Sequence, residues 1–285
     1  MPNVLDLRRR IRSVKNTQQI TRAMKMVAAA RMRRAQERVQ NARPYSQQMR
    51  AFLSSLAART EESDHPLLER RPVRKVLLVL VTADRGLCGA FNSNLLRVAQ
   101  KYLNEHSGRE TLAVAAGRKG RDFFRKRGHH MEAEHVNFFQ RRVEFASARQ
   151  LASQVLNLYS NRSVDAVDFI YNEFKSLLAA NLKVERFLPI EPAEVSQGET
   201  AVDYIYEQPP GEILTHLLPR YLEAEVYRVL LESQAAEFAA RMTAMDTATR
   251  NARDLLSALT LHLNRVRQAA ITKEIIEIVS GAAAL

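Results

Sequence analysis

Apolar residues recur three and four positions apart at both ends of this chain, and continuously or in pairs through its middle. Near the N-terminus, Val4, Leu7, Ile11 and Val14 follow the three-four rule, and Ala28, Met32, Ala35, Val39 and Ala42 take it up again. Between them the same register falls on Gln18, Thr21 and Lys25, while Ile20, Met24 and Val27 drift to a neighbouring stripe. Near the C-terminus the slots are Met245, Ala248, Ala252, Leu255, Leu259, His262, Val266 and Ala269, apolar but for His262. This is the seam of a coiled coil, and its many alanines let two backbones approach closely.

Glycine and proline mark where such segments stop. Neither occurs from Asn3 to Arg43. No glycine occurs from Glu212 to Ser280, and no proline after Pro219. At 1.5 Å per residue the first stretch predicts a helix of ~60 Å and the second, from Arg220 to Ser280, one of ~90 Å. A compact globule of this length has a radius of gyration of roughly 19 Å. Helices this long must leave it, and each needs something to cover its stripe. One antiparallel pair made from the two chain ends is the economical solution; two separate bundles are the alternative.

The middle has a different period. Within Arg74 to Thr82, the run Val76–Val81 is apolar without a break, and the segment is rich in β-branched residues, as in a strand buried on both faces. Leu112–Ala116 and Ala166–Tyr171 read as further strands, and Leu182–Leu188 as a fourth. Helices are expected over Asn94–Asn104, from Gly120 to Lys126, and over Ala146–Ser160. Strands alternating with helices predict an α/β sheet domain. The expected fold class is therefore α/β plus a long antiparallel α-helical coiled coil. Residues 1–60 form its N-terminal helix, 73–208 the α/β domain, and 211–285 the C-terminal helix that pairs with 1–60.

Charge sharpens this division. Residues 1–60 hold 14 of the 43 Lys+Arg and only 2 of the 31 Asp+Glu, so the whole formal charge of +12 sits there and the remainder is neutral. An anionic partner is expected to meet the N-terminal helix. Cys88 is the one cysteine, which excludes an intrachain disulfide and a Cys-based zinc site. No apolar run approaches the ~18 residues of a membrane span, and the N-terminus lacks the apolar region of a signal peptide.

Candidate chemistry is sparse. There is no Gly-x4-Gly-Lys-Ser/Thr loop, no Gly-x-Gly-x-x-Gly and no Gly-x-Ser-x-Gly elbow. Asp84-Arg85-Gly86-Leu87-Cys88-Gly89 follows a strand and has the look of a phosphate turn, although two glycines also serve simply to close a βα turn. His129, His130, Glu132, Glu134 and His135 resemble metal ligands in type but not in spacing, and read better as a polar loop or strand edge. Gly117-Arg118-Lys119-Gly120 has the shape of an RNA-clamping Gly-x-x-Gly loop, at a place where any βα turn falls. Residues 1–44 contain no aromatic side chain on which a base could stack. Two function classes compete with a coiled-coil partner protein: a basic coiled-coil nucleic-acid binder and a small α/β enzyme with helical arms.

Four separated segments resemble one family. Ile271-Thr272-Lys273-Glu274-Ile275-Ile276-Glu277-Ile278-Val279-Ser280-Gly281-Ala282-Ala283 closely resembles the signature of gamma subunits of F-type ATP synthases. So does Ile11 to Met32, with Asn16-Thr17, Ile20-Thr21, Ala23-Met24 and Met26-Val27-Ala28. Asp84 to Gly89 with Asn92-Ser93-Asn94, and Asp203-Tyr204-x-Tyr206-Glu207, resemble it too, in the same order along the chain. The resemblance implies a non-catalytic rotor shaft of bacterial type on the cytoplasmic face of the membrane, with no cofactor, metal, nucleotide or nucleic acid of its own. Its implied partners are the alpha and beta subunits, epsilon and the c-subunit ring. It further implies beta contacts at Arg8, Arg9, Arg10, Lys15, Met24, Arg267 and Gln268, and c-ring contacts at Tyr204, Tyr206 and Glu207. Chloroplast members carry a cysteine pair in an inserted loop; the segment after Pro189 has no cysteine here, so thiol regulation is not expected.

Overall fold

The computed structural model describes residues 4–57, 65–139, 142–176, 180–190 and 209–283. The elements, in order, are α1 (Val4–Ala57), β1 (Lys75–Val81), α2 (Phe91–Glu105), β2 (Glu110–Ala116), α3 (Arg118–Arg127), β3 (Met131–His135), α4 (Phe145–Ser160), β4 (Ala166–Phe174), β5 (Ala180–Leu188) and α5 (Pro210–Ala283). They divide into two compact units, one of residues 1–29 with 241–285 and one of residues 30–240.

Both terminal helices run further than the glycine and proline spacing predicts. α1 continues through Pro44, and α5 begins before Gly211 and passes Pro219. A proline inside a helix deprives the carbonyl four residues earlier of its donor. Here those carbonyls belong to Gln40 and Thr215, both exposed residues, so the lost bond is not buried in the core.

In the second unit a five-stranded sheet has the order β3-β2-β1-β4-β5. β1 lies parallel to both β2 and β4, β3 is parallel to β2, and β5 runs antiparallel to β4. Val76 to Val81 are wholly buried, which is why this strand lacks any polar alternation. The polar stretch around His130 becomes the edge strand β3. His135 is buried with its Nε2 2.8 Å from Gln154 Oε1, and Glu134 accepts from Arg125 at 2.7 Å. No group of residues suited to holding a metal occurs among the described residues.

The two glycine-bearing turns serve the fold. Buried Asp84 accepts the backbone N–H groups of Arg118 at 3.0 Å, Asn137 at 2.9 Å and Phe139 at 3.1 Å. The amide at the start of α3 that an anion would seek is thus already held by an internal carboxylate. Cys88 is buried in the same turn, 3.1 Å from Asn92 Nδ2. Gly117 has φ +116°, and a Cβ there would stand 2.0 Å from the Thr82 carbonyl oxygen. The Gly120 N–H donates to Thr82 Oγ1 at 2.8 Å. The Gly-x-x-Gly pattern is therefore a close crossing of backbone over the end of β1.

A buried polar clasp joins α1 and α5 to the sheet edge within this unit. On α5, Glu225 and Glu232 leave only 4% and 3% of their side chains exposed. Arg228 lies between them and donates to Glu225 at 2.7 and 3.0 Å. Glu232 accepts the Phe174 N–H at 3.1 Å, and Arg43 of α1 donates to the Phe174 carbonyl at 2.9 Å. The last peptide group of β4 is thus held from both helices. Arg50 reaches Glu225 at 3.5 Å, and Tyr171 donates to Glu185 at 2.6 Å. Burial, the largest single influence, would lower the Arg228 pKa; the charges and hydrogen bonds of Glu225 and Tyr171 together outweigh it and hold the guanidinium above its ordinary value. Across the sheet, Asp168 accepts from the Tyr102 hydroxyl and from Arg186 at 2.8 and 3.0 Å.

Two outcomes are expected. Gly117→Ala, which combines an unfavourable φ with a backbone clash, should destabilise the protein by more than ~2 kcal/mol, read as a lowered thermal midpoint. Burial first, and then the carboxylates of Asp168 and Glu185, raise the Tyr102 and Tyr171 phenols above their ordinary range. A phenol raised in the folded state contributes stability that is whole below the unfolded pKa of about 10 and is lost as pH rises beyond it. Urea midpoints should fall above about pH 10, and fall less steeply in Tyr102→Phe/Tyr171→Phe.

Candidate functional site

The first unit consists of α1 up to Ala29 and α5 from Arg241, and the expected beta contacts lie on it. On α1 the seam follows the sequence pattern: Val4, Leu7, Ile11, Val14, Gln18, Thr21, Lys25 and Ala28 are each buried or half-buried. The polar members stay in register. Ile20 and Val27 do not replace them and are 59% and 52% exposed.

The polar slots are matched across the pair. Thr21 and Thr249 bring their hydroxyls to 2.9 Å, and Lys25 meets Asp246 at 2.5 Å. Ascending numbers on α1 face descending numbers on α5, so the helices are antiparallel. The Lys25 hydrogen bond draws the Asp246 carboxyl below its ordinary range, with Arg250 at 3.3 Å adding to it.

On α5 the seam differs from the expected one at every second slot. Met245, Ala252, Leu259 and Val266 hold their places. Leu255, His262 and Ala269 are exposed, and Leu256, Leu263 and Ala270, each one residue later, are half-buried instead. Ala248 and Thr249 share the remaining slot. Both alternatives keep a three-four spacing, and adjacent leucines such as Leu255 and Leu256 leave the choice to the facing helix.

Beyond the seam, every residue from Ile271 to Ser280 is exposed. Ile275, Ile276, Ile278 and Val279 are each more than half exposed, at 55%, 58%, 71% and 61%. A contiguous aliphatic surface of this kind marks an interaction site.

The expected contact residues fall on this unit as follows. Arg8, Arg9, Arg10 and Lys15 are exposed on α1, with Arg9 3.6 Å from Asp6. Met24 is half-buried beside the Lys25 slot. Arg267 and Gln268 are exposed, flanked by the half-buried Val266 and Ala270 rather than by Ala269. Tyr204, Tyr206 and Glu207 lie outside the described residues. The clasp and a ladder of arginines at 31, 34 and 38 were missed; the signal for the clasp was a Glu-Arg-Glu spacing at 225, 228 and 232 on one face of one helix.

No described helix is long and apolar enough to cross a membrane. A family model described as ATP synthase matches residues 3–285. The ATP synthase gamma chain of Solibacter usitatus is 52% identical over 288 residues, covering 100% of this chain and 99% of its own. That of Pelotomaculum thermopropionicum is 48% identical over 285 residues, covering 100% of both. Among solved structures, a chain of the central stalk and c ring of Tetrahymena thermophila mitochondrial ATP synthase matches at TM-score 0.61 and 30% identity, over 80% of this chain and 99% of that one. A chain of the Euglena gracilis mitochondrial enzyme shares the fold at TM-score 0.73 and 24% identity, over 99% and 94%. The reading as a basic nucleic-acid-binding coiled coil is set aside, and with its full length matched by these relatives the chain belongs to the ATP synthase gamma chain family.

Proposed function

We propose that this chain is the non-catalytic central shaft of an F-type ATP synthase, seated peripherally on the cytoplasmic face of a bacterial plasma membrane. Its paired ends stand inside a ring of alpha and beta subunits, and its α/β domain sits with epsilon on the c-subunit ring. Ion flow turns the c ring and the shaft with it. The asymmetry of the shaft then carries each beta site through its binding states, which is allosteric coupling by rigid rotation.

The observation that supports this best is the aliphatic end of α5. Ile275, Ile276, Ile278 and Val279 cannot bury one another on a single helix, and a surrounding ring supplies the cover. In the same reading Tyr204, Tyr206 and Glu207 meet the polar loops of the c ring, a half-wet surface that suits tyrosine. Met24 lies against beta.

Arg267 and Gln268 form the catch with one beta subunit. The guanidinium offers a planar fork to a carboxylate, and the amide offers a donor and an acceptor. Hydrogen bonds of this class are worth ~0.5–3 kcal/mol, enough to favour one beta conformation and small enough to break at each step. In the assembled complex, Arg267→Leu/Gln268→Leu should leave assembly intact and lower coupled ATP turnover by roughly tenfold, the factor that corresponds to about 1.4 kcal/mol. Unchanged turnover would remove both residues from the mechanism.

Arg8, Arg9, Arg10 and Lys15 face acidic elements of beta. Exposed pairs contribute only ~0–1 kcal/mol each, so their effect is collective and screened by salt. Replacing all four by Gln should weaken co-purification with alpha and beta most at low ionic strength. A loss independent of salt would count against an electrostatic role.

A further inference from the structure

Within the sheet unit the two terminal helices are tied to each other and to the sheet edge at two levels. At the first, Arg43 of α1 donates from Nε and Nη2 to Glu232 Oε1 of α5, each at 3.4 Å, and both side chains also bond to the backbone of Phe174 in β4. At the second, Arg50 of α1 meets Glu225 of α5 at 3.5 Å and Glu185 of β5 at 4.0 Å. Arg228 joins the levels: it lies 2.7 Å from Glu225, 3.8 Å from Glu232 and 3.7 Å from Glu185, and its Nη1 is 3.4 Å from the Tyr171 hydroxyl. Positions 43 and 50, like 225 and 232, are seven residues apart, so the levels are separated by ~10 Å along the helices.

One tie is a pivot, about which a helix can swing. Two separated ties remove that freedom. Each helix reaches β4 at the first level, through Arg43 or Glu232, and β5 at or beside the second, through Arg50 or Arg228. Neither can swing or roll on the sheet without breaking a directional contact at one of them. The apolar packing around them lacks this property. Leu53 and Leu56 of α1 and Leu222, Val226, Val229 and Leu230 of α5 are buried, yet apolar burial is non-directional, and a small roll exchanges one such contact for another. Both helices run without a break from the clasp into the first unit.

We propose that this two-level clasp is the torsional anchor of the rotor, the place where turning force on the α/β domain enters the paired helices. The proposal rests on the shaft reading above. Arg43 and Arg50 act in it as positioning residues, since they hold the helices at a fixed angle to the sheet and touch no nucleotide site. Both are partly exposed and line an open cleft of about 440 Å³, so they can be replaced without opening a cavity in the apolar core.

The test uses the whole synthase in vesicles, with ATP hydrolysis and ATP-driven ion pumping measured together, and single complexes held by the catalytic ring with a bead on the α/β domain. Arg43→Lys/Arg50→Lys keeps both charges, so the buried glutamates are not stranded, and removes both forks. Assembly and hydrolysis should match the parent. Ions pumped per ATP should fall, and the angular variance of the resting bead should rise, each by roughly twofold, since the charge-assisted forks are lost. Glu232→Gln keeps an acceptor for the Phe174 N–H and loses the charge that Arg43 meets; it should move both readouts the same way by less, and it tests the clasp even where the double variant does not assemble. The control Arg121→Lys/Arg125→Lys alters ion pairs with Asp122 and Glu134, which touch neither terminal helix, and should behave like the parent. A role in folding alone would lower the thermal midpoint or the yield of complex and leave pumping per ATP and bead variance unchanged in the complexes that form. That result, or an equal change in the control, would overturn the inference while the shaft reading stands. A parent chain that does not turn in the ring would overturn both.

Discussion

Two carboxylates buried on one helix govern the sheet unit. Glu225 and Glu232 are almost without solvent, and an ionised carboxylate in such a place must be met by charge and by hydrogen bonds. Arg228 answers both, Arg43 and Arg50 come from α1, and the Phe174 N–H comes from the end of β4. Three elements distant in sequence are thereby fixed at one place. Removing one partner from such a network costs about 3–5 kcal/mol, because the remaining charge is left stranded. Apolar packing alone would hold these helices against the sheet, but it would tolerate several arrangements. The directional demands of the carboxylates select one.

The burial of α5 changes in step with these demands. From Val229 to Ala239 every residue is buried, so the helix is enclosed on all faces. From Met245 to Ala270 only a stripe is covered, and from Ile271 to Ser280 nothing is. One continuous helix thus has three surroundings. Its composition reflects this only in part: leucine and alanine fill both the enclosed and the striped stretch, while the bare one carries isoleucine and valine in their place.

Much of this architecture was legible in the residues. The α1 seam appears in the structure at each slot that its spacing indicated, including the polar ones, because period is a property of the chain itself. β1 was equally plain, since a run such as Val76 to Val81 has no wet face to offer. The α5 seam was half legible: the pattern admits Leu255 or Leu256, and only the facing helix decides. β3 was legible only as a polar loop or strand edge, because Met131-Glu132-Ala133-Glu134-His135 owes its strand conformation to pairing with β2. Pro44 ends the glycine- and proline-free stretch, yet α1 runs through it to Ala57, within the 1–60 expected of the helix. The exposure of Arg267 and Gln268 follows from spacing. The clasp was out of reach, since its meaning depends on the Phe174 peptide from a strand 58 residues away from Glu232.

The polar slots in the α1 seam have a mechanical consequence. A coiled coil joined only by alanine and leucine presents nearly the same surface every seven residues, and its strands can slip past one another by that step at small cost. Thr21 against Thr249 and Lys25 against Asp246 make one alignment unlike all the others. A shift of one heptad would set the ammonium of Lys25 among Ala252 and its neighbours, stranded without its carboxylate. These pairs act as a key in a keyway: they add little grip, but they index the two helices, so that a load applied along or around the pair bends or twists it as one body before the strands can creep.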